Sequence, residues 1–187
     1  HSASSVVMEA LARIHATGRR VTVTCTESRP AREGVEMARH LGAAGIPVRL
    51  VIDAAAPALL HQCDAVLLGA DTVGTAGVVH KVGTLGLVLA ARQYGVPVYV
   101  LTTGEKLLPE ACGAAPPIPV RDGREVLDPP APGVTAFNVY FDLTPLQWLS
   151  GIFTEEGLLA PPSLPPRLRS LPVHPALRGL WQEPPRS

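Results

Sequence analysis

A carboxylate, an imidazole and an ammonium group share one short glycine-rich stretch, residues 69–84, GADTVGTAGVVHKVGT. Asp71 and His80 are residue types that move protons near neutral pH. Lys81 supplies a positive charge, and Gly83-Thr84 reads as the start of a helix whose free N–H groups suit a phosphate. An apolar run at 65–68 reads as a buried strand before this stretch, and 85–94 reads as a helix after it. The expectation is a loop at the C-terminal end of a strand, where open α/β sheets hold their ligands. A plainer reading stands beside it: turn glycines, a solvated Lys81, a hydrogen-bonded loop histidine at His80, and a Thr84 that only caps its helix.

Presenting such a loop takes a sheet and helices, and the chain supplies both in alternation. Residues 2–17 put Val6, Val7, Ala10, Leu11 and Ile14 at helical spacing, with Ser2 or Ser4 as N-cap and Gly18 as the stop. Residues 21–25 read as a β-branched strand ending in T-E-S-R-P, where Pro30 biases Arg29 to an extended shape. A helix over 33–41, a strand over 47–52 ending at Asp53, a short helix over 54–62 and a strand over 64–68 follow. After the glycine-rich stretch come a helix over 84–94, closed by Gly95, and a strand over 97–101. This order predicts an α/β fold with a Rossmann-like parallel sheet and helices on both faces. The strands are apolar throughout rather than alternating, which agrees with burial on both sides.

Beyond Thr102 the pattern loosens. Residues 107–132 carry seven prolines and read as an excursion over the surface, 134–141 as a final strand and 145–154 as a helix. The domain is expected to cover 1–160. Residues 161–187, Pro- and Arg-rich with an isolated Trp181, read as an extended tail, poorly ordered or draped over a partner.

Lys+Arg and Asp+Glu both number 16, which argues against the basic excess of a nucleic-acid-coating protein, so no direct nucleic-acid partner is expected. A 47% hydrophobic share over 187 residues suits one domain with a substantial core. No apolar run approaches the roughly 20 residues needed to cross a bilayer, and nothing at the start resembles a signal peptide. A cytoplasmic protein without a membrane partner is the expectation. Cys25, Cys63 and Cys112 lack C-x-x-C spacing and read as reduced thiols, with neither a disulfide framework nor a metal site; no cofactor is expected.

Five motifs occur together in order: T-E-S-R-P at 26–30 with Asp53 after it, G-A-D-x-V at 69–73, K-x-G-T at 81–84, F-D-L-T-P at 141–145 and T-E-E-G at 154–157. In this the chain resembles the family of translation initiation factor 2B alpha, beta and delta subunits, methylthioribose-1-phosphate isomerase and ribose-1,5-bisphosphate isomerase. The resemblance spans residues 2–159 and implies a Rossmann-like C-terminal domain that usually dimerises, with residues 141–159 as the expected contributor. His1-Ser2 look like the end of that domain's first strand, and the family's helical N-terminal domain falls outside the sequence. The implied partners are a phosphorylated sugar or nucleotide and a second copy or related subunit.

In the isomerases of this family, aldose–ketose conversion is assigned to a cysteine after the first strand and to the aspartate of G-A-D. Asp71 matches the aspartate, and Ser2 takes the cysteine's position in an H-S-x-S pattern similar to the initiation-factor branch. A hydroxyl is a far poorer proton carrier near neutral pH than a thiol. The isomerases' Asn-Lys becomes His80-Lys81, and a glutamine expected after the E-T-R-P element becomes Glu33. Cys25 is a candidate substitute thiol or a buried structural one. The resemblance implies a ligand held by His80, Lys81, Gly83, Thr84, Glu33 and Lys106, with Arg29 bracing its loop and touching ligand second. Three readings stay open: a phosphosugar- or nucleotide-binding protein, an aldose–ketose isomerase using Asp71, and a dimerisation scaffold.

Overall fold

The structure is a computed structural model and describes residues 1–181. Its first half follows the expected alternation: α1 (Ser5–Ala16), β1 (Val23–Thr26), α2 (Glu33–Ala43), β2 (Val48–Val51), α3 (Ala56–Leu59, flanked by 3-10 turns) and β3 (Val66–Leu68). Ser4 caps α1, its hydroxyl accepting the Val7 amide, as the Ser-rich start of the segment predicts. The helix α4 (Thr84–Gln93) and the strand β6 (Val98–Leu101) come next. Two apolar cores lie on the two faces. Val7 and Leu11 of α1 pack with Met37 and Leu41 of α2 over Cys25. Leu87, Val88 and Ala91 of α4 pack with Leu60 over Leu68, Val98 and Val100. The fold is α/β and Rossmann-like, with helices on both faces.

The parallel sheet is in two pieces. β1 pairs with β2, and β3 pairs in parallel with β6. Between β1 and β3 lies a cavity of about 280 Å³, lined by Val23, Cys25, Val66, Leu67 and His1.

Residues 69–84 differ from expectation, for they are a β-hairpin rather than a loop. β4 (Thr72–Gly74) and β5 (Gly77–Lys81) are antiparallel, joined at Thr75-Ala76, and β5 is buried along its whole length. The reason is legible: β-branched pairs, Thr72-Val73 and Val78-Val79, flank a short glycine-bounded turn. The strand expected over 134–141 is instead β7 (Phe141–Thr144), which adds to β5 with His80 opposite Asp142 and Lys81 opposite Phe141. The helix expected over 145–154 is a single 3-10 turn followed by a hairpin. There β8 (Gly151–Thr154) runs parallel to β6, and β9 (Gly157–Leu159) returns beside it. Ile152 and Phe153 favour a strand, and Gly157, at φ 110°, makes the tight turn.

The excursion over 107–132 is anchored rather than loose. Leu107, Leu108 and Cys112 are buried, and Glu125 accepts the Tyr140 hydroxyl and the Asn138 side-chain amide. The extended tail also differs. Residues 164–170 form α5 (Leu164–Ser170), whose Leu164 and Leu168 are fully buried in the larger core. Its prolines stand in the first turn, where no amide hydrogen bond is lost. Trp181 is not isolated, since its amide donates to the Cys112 carbonyl at 2.7 Å. The rest of the tail, 182–187, lies outside the described residues. Among the described residues no helix is long and apolar enough to cross a membrane.

Candidate functional site

A cavity of about 450 Å³ opens where β3 and β6 end, between residues 69–71, residues 101–103 and the start of α1. Asp71, His80, Lys81, Glu33, Ser2 and Lys106 all line it. Gly69 has to be glycine here, because a methyl group in its place would stand 2.8 Å from the Ser4 side chain. That close approach sets the first turn of α1 against the end of β3.

Asp71 is half exposed at the mouth, while His80 behind it is only 4% exposed. His80 Nδ1 lies 3.2 Å from Asp71 Oδ2, and Nε2 lies 3.4 Å from the His1 carbonyl. The carbonyl can only accept, so Nε2 carries a hydrogen, and Nδ1 meets a carboxylate. Both contacts hold when one proton is shared between Asp71 and His80. The pair can therefore hold one proton at the cavity and pass it between carboxylate and imidazole with its geometry kept.

Lys81 is 3% exposed and donates to Glu33 Oε1 at 2.5 Å. Its ammonium lies 4.8 Å from the Tyr140 ring centre and 5.7 Å from that of Phe141, both within cation–π range. The hydrogen bond to Glu125 pushes the Tyr140 phenol up, so the ring keeps its proton as it covers Lys81. Lys106 is exposed and takes part in none of the ion pairs found among the described residues.

Ser2 adopts a left-handed backbone, φ 64°, and so does Ser28 on the neighbouring turn. The Ser2 amide donates to Ser28 Oγ at 2.6 Å, and the Ser28 and Arg29 amides donate to the Asp53 carboxylate. Such conformations cost about 1–3 kcal/mol each and persist only where the surroundings fix them. His1 adds to this scaffold, with Nε2 donating to the Val82 carbonyl and Nδ1 accepting from Thr26 Oγ1. Asp53, Ser28 and His1 are thus positioning residues. The sequence marked all three, Asp53 as an acid ending a strand, Ser28 within T-E-S-R-P and His1 within H-S-x-S, without giving them this role.

Three expected site residues lie elsewhere. Gly83 and Thr84 do not line the cavity: Asp142 Oδ2 already accepts the Gly83 and Leu85 amides, at 2.8 and 3.1 Å. Thr84, 1% exposed, turns its hydroxyl back to the Lys81 carbonyl instead of capping α4. Arg29 reaches the Glu125 carbonyl, and it is Arg32 that pairs with Glu27. Cys25 packs under α1 and α2, outside this cavity, and burial pushes its thiol up, so it does not supply the thiol that Ser2 lacks. Lining groups that the sequence did not mark as ligand contacts are Ser4, Ser5, Thr102, Thr103 and Glu105, with Tyr140 and Phe141 as the aromatic wall.

The fold and the cavity define an α/β protein with a polar cavity at the C-terminal edge of a parallel sheet, the place where open α/β sheets hold their ligands. The chain belongs to the initiation factor 2 subunit family, whose sequence profile matches residues 1–161. It is 42% identical over 153 residues to the methylthioribose-1-phosphate isomerase of Gemmatimonas aurantiaca, covering 79% of this chain and 44% of that protein. It is 36% identical over 169 residues to the ribose 1,5-bisphosphate isomerase of Archaeoglobus fulgidus, covering 86% and 53%. Among solved structures it is similar to the translation initiation factor eIF-2B of Pyrococcus horikoshii OT3, with TM-score 0.75, 31% identity and coverage of 87% and 57%. The chain spans about half the length of the curated relatives it matches.

Proposed function

We propose that this chain carries the sugar side of a sugar-phosphate aldose–ketose isomerase, with Asp71 as the group that moves the proton. The observation that carries the reading is the Asp71 carboxylate at the cavity mouth, 3.2 Å from a buried imidazole that can share its proton. Relatives of the same family are named for such isomerisations. In a ribose 1-phosphate the interconversion moves the hydrogen of carbon 2 to carbon 1, opens the bond between carbon 1 and the ring oxygen, and passes the 2-hydroxyl proton to that ring oxygen, with no change in composition. Asp71 takes the carbon-bound proton and returns it to the neighbouring carbon, while His80 supports whichever charge state Asp71 holds. The hydroxyl proton needs a second carrier, and Ser2 lines the same cavity.

A second reading, ligand binding without turnover, is favoured by Ser2 itself, since a hydroxyl transfers protons poorly near neutral pH. One assay separates the two. Turnover of methylthioribose 1-phosphate or ribose 1,5-bisphosphate that is lost in Asp71→Asn supports the isomerase. Binding of either compound with no turnover supports the binder, and turnover retained in Asp71→Asn removes Asp71 from its role.

The fold also supports association with a second copy. Phe153 and Leu158 on the β8–β9 hairpin are exposed apolar residues, and β9 ends its sheet with an unpaired edge. Sedimentation should give a dimer that Leu158→Asp weakens; a monomer at high concentration would contradict the pairing.

A further inference from the structure

The T-E-E-G motif at 154–157 carries two adjacent glutamates that the proposed chemistry does not use. Both stand in the turn between β8 and β9, and each grips a different part of the molecule. Glu156 pairs with Arg167 of α5. Glu155 accepts the Gly104 amide with both carboxylate oxygens, at 3.1 and 2.9 Å.

Gly104 opens a 3-10 turn, Gly104–Lys106, that follows closely on β6. Thr103, Glu105 and Lys106 line the cavity of about 450 Å³, whereas Gly104 does not. The turn is thus held from behind while its side chains face the cavity in front. Inside it, the Lys106 amide donates to the Thr103 carbonyl at 3.0 Å, and the Thr103 hydroxyl donates to Glu105 at 3.2 Å. At its exit, the Leu108 amide donates to the Val73 carbonyl at 2.8 Å, which ties the chain to β4. Glu155 ties the entry. Lys106 is exposed, and a cation on a turn pinned at both ends loses less freedom on meeting a ligand. Its placement to within about 1 Å decides how well it does so.

We propose that Glu155 is a positioning residue that sets Lys106 against the cavity, so that the lysine meets the phosphate of the bound sugar. The inference rests on the phosphosugar reading above and adds to it the device that places the phosphate-facing cation. Charge alone predicts the opposite effect. A carboxylate near a phosphate repels it, so removing Glu155 would tighten binding if it acted only through its charge.

Calorimetric titration with 5-deoxyribose 1-phosphate tests this in the wild-type chain, Glu155→Ala, Glu155→Gln, Lys106→Ala and the Glu155→Ala, Lys106→Ala double variant. Glu155→Ala should weaken binding about threefold to tenfold. Glu155→Gln, whose amide oxygen still accepts the Gly104 hydrogen, should recover most of that loss. In the Lys106→Ala background, Glu155→Ala should weaken binding little further, because the group it acts through is already gone. Glu156→Ala alters the same turn without touching the Lys106 segment and should leave the affinity unchanged. Unchanged or tighter binding in Glu155→Ala, or the same loss with and without Lys106, overturns the role of Glu155 and leaves the phosphosugar reading standing. An equal loss in Glu156→Ala does the same. No binding by the wild type overturns the phosphosugar reading and this inference with it. Glu155 and Lys106 are both exposed, so none of these changes opens the core.

Discussion

Helices α1 and α4 both begin beside His1, and their first turns meet different surroundings. The first turn of α4 carries the sequence signature of an anion site, Gly83-Thr84 after a lysine, yet a carboxylate already holds it. Asp142 Oδ2 accepts two of its amides, and Thr84 is buried. The first turn of α1 carries only a run of serines, yet Ser4, Ser5 and Val6 line the 450 Å³ cavity beside Asp71, His80 and Lys106. What decides between them is not local. The register of β5 with β7, which sets His80 opposite Asp142, brings a residue from 59 positions away onto the start of α4. A helix start serves a ligand only where the chain has not already supplied the anion.

The largest effect expected from breaking this contrast is chemical. Asp71→Asn should lower turnover by about 10²–10⁴-fold, the usual worth of a positioned acid–base group, with an unchanged melting temperature. Next comes Gly69→Ala. A methyl group 2.8 Å from Ser4 pushes the α1 start away from β3, and overpacking of this kind costs about 1–3 kcal/mol. The loss should appear both in denaturant unfolding and as weakened ligand binding. Asp142→Ala should act on the other helix alone, destabilising the fold by about 0.5–2 kcal/mol through loss of the α4 cap. Titration of the ligand into that variant should give an affinity close to that of the wild type.

The smallest effect is in the pH dependence. Burial pushes the Asp142 carboxyl above its ordinary value, more than its two amide donors and the nearby His80 pull it down. Between the unfolded value and this raised folded value the folded state binds more protons. Stability therefore falls as pH rises through that window. Urea titrations across acidic pH should show this downward slope in the wild type and lose it in Asp142→Asn.

Much of the scaffold was legible because it is local. The spacing of Val7 and Leu11, the serine before them, and the glycine after α4 fix elements within a few residues of themselves. The motif residues Asp71, His80, Lys81 and Lys106 do line one cavity. What escaped were facts of register and tertiary pairing. The Lys81 charge is cancelled by Glu33, 48 residues away, and Asp142 fills the α4 start. Residues 164–170 become a buried helix because Leu164 and Leu168 find a core that their prolines do not announce. Reading 69–84 as a loop gave the glycines more weight than the β-branched pairs around them.

The contrast between the two helix starts can be tested directly by following backbone amide shifts while 5-deoxyribose 1-phosphate is added to the isotopically labelled chain. Shifts centred on Ser4, Ser5, Val6, Gly69 and Asp71, with the amides of Gly83 and Leu85 unmoved, are the predicted result. Shifts centred on Gly83, Thr84 and Leu85 instead, with the start of α1 silent, would contradict the account.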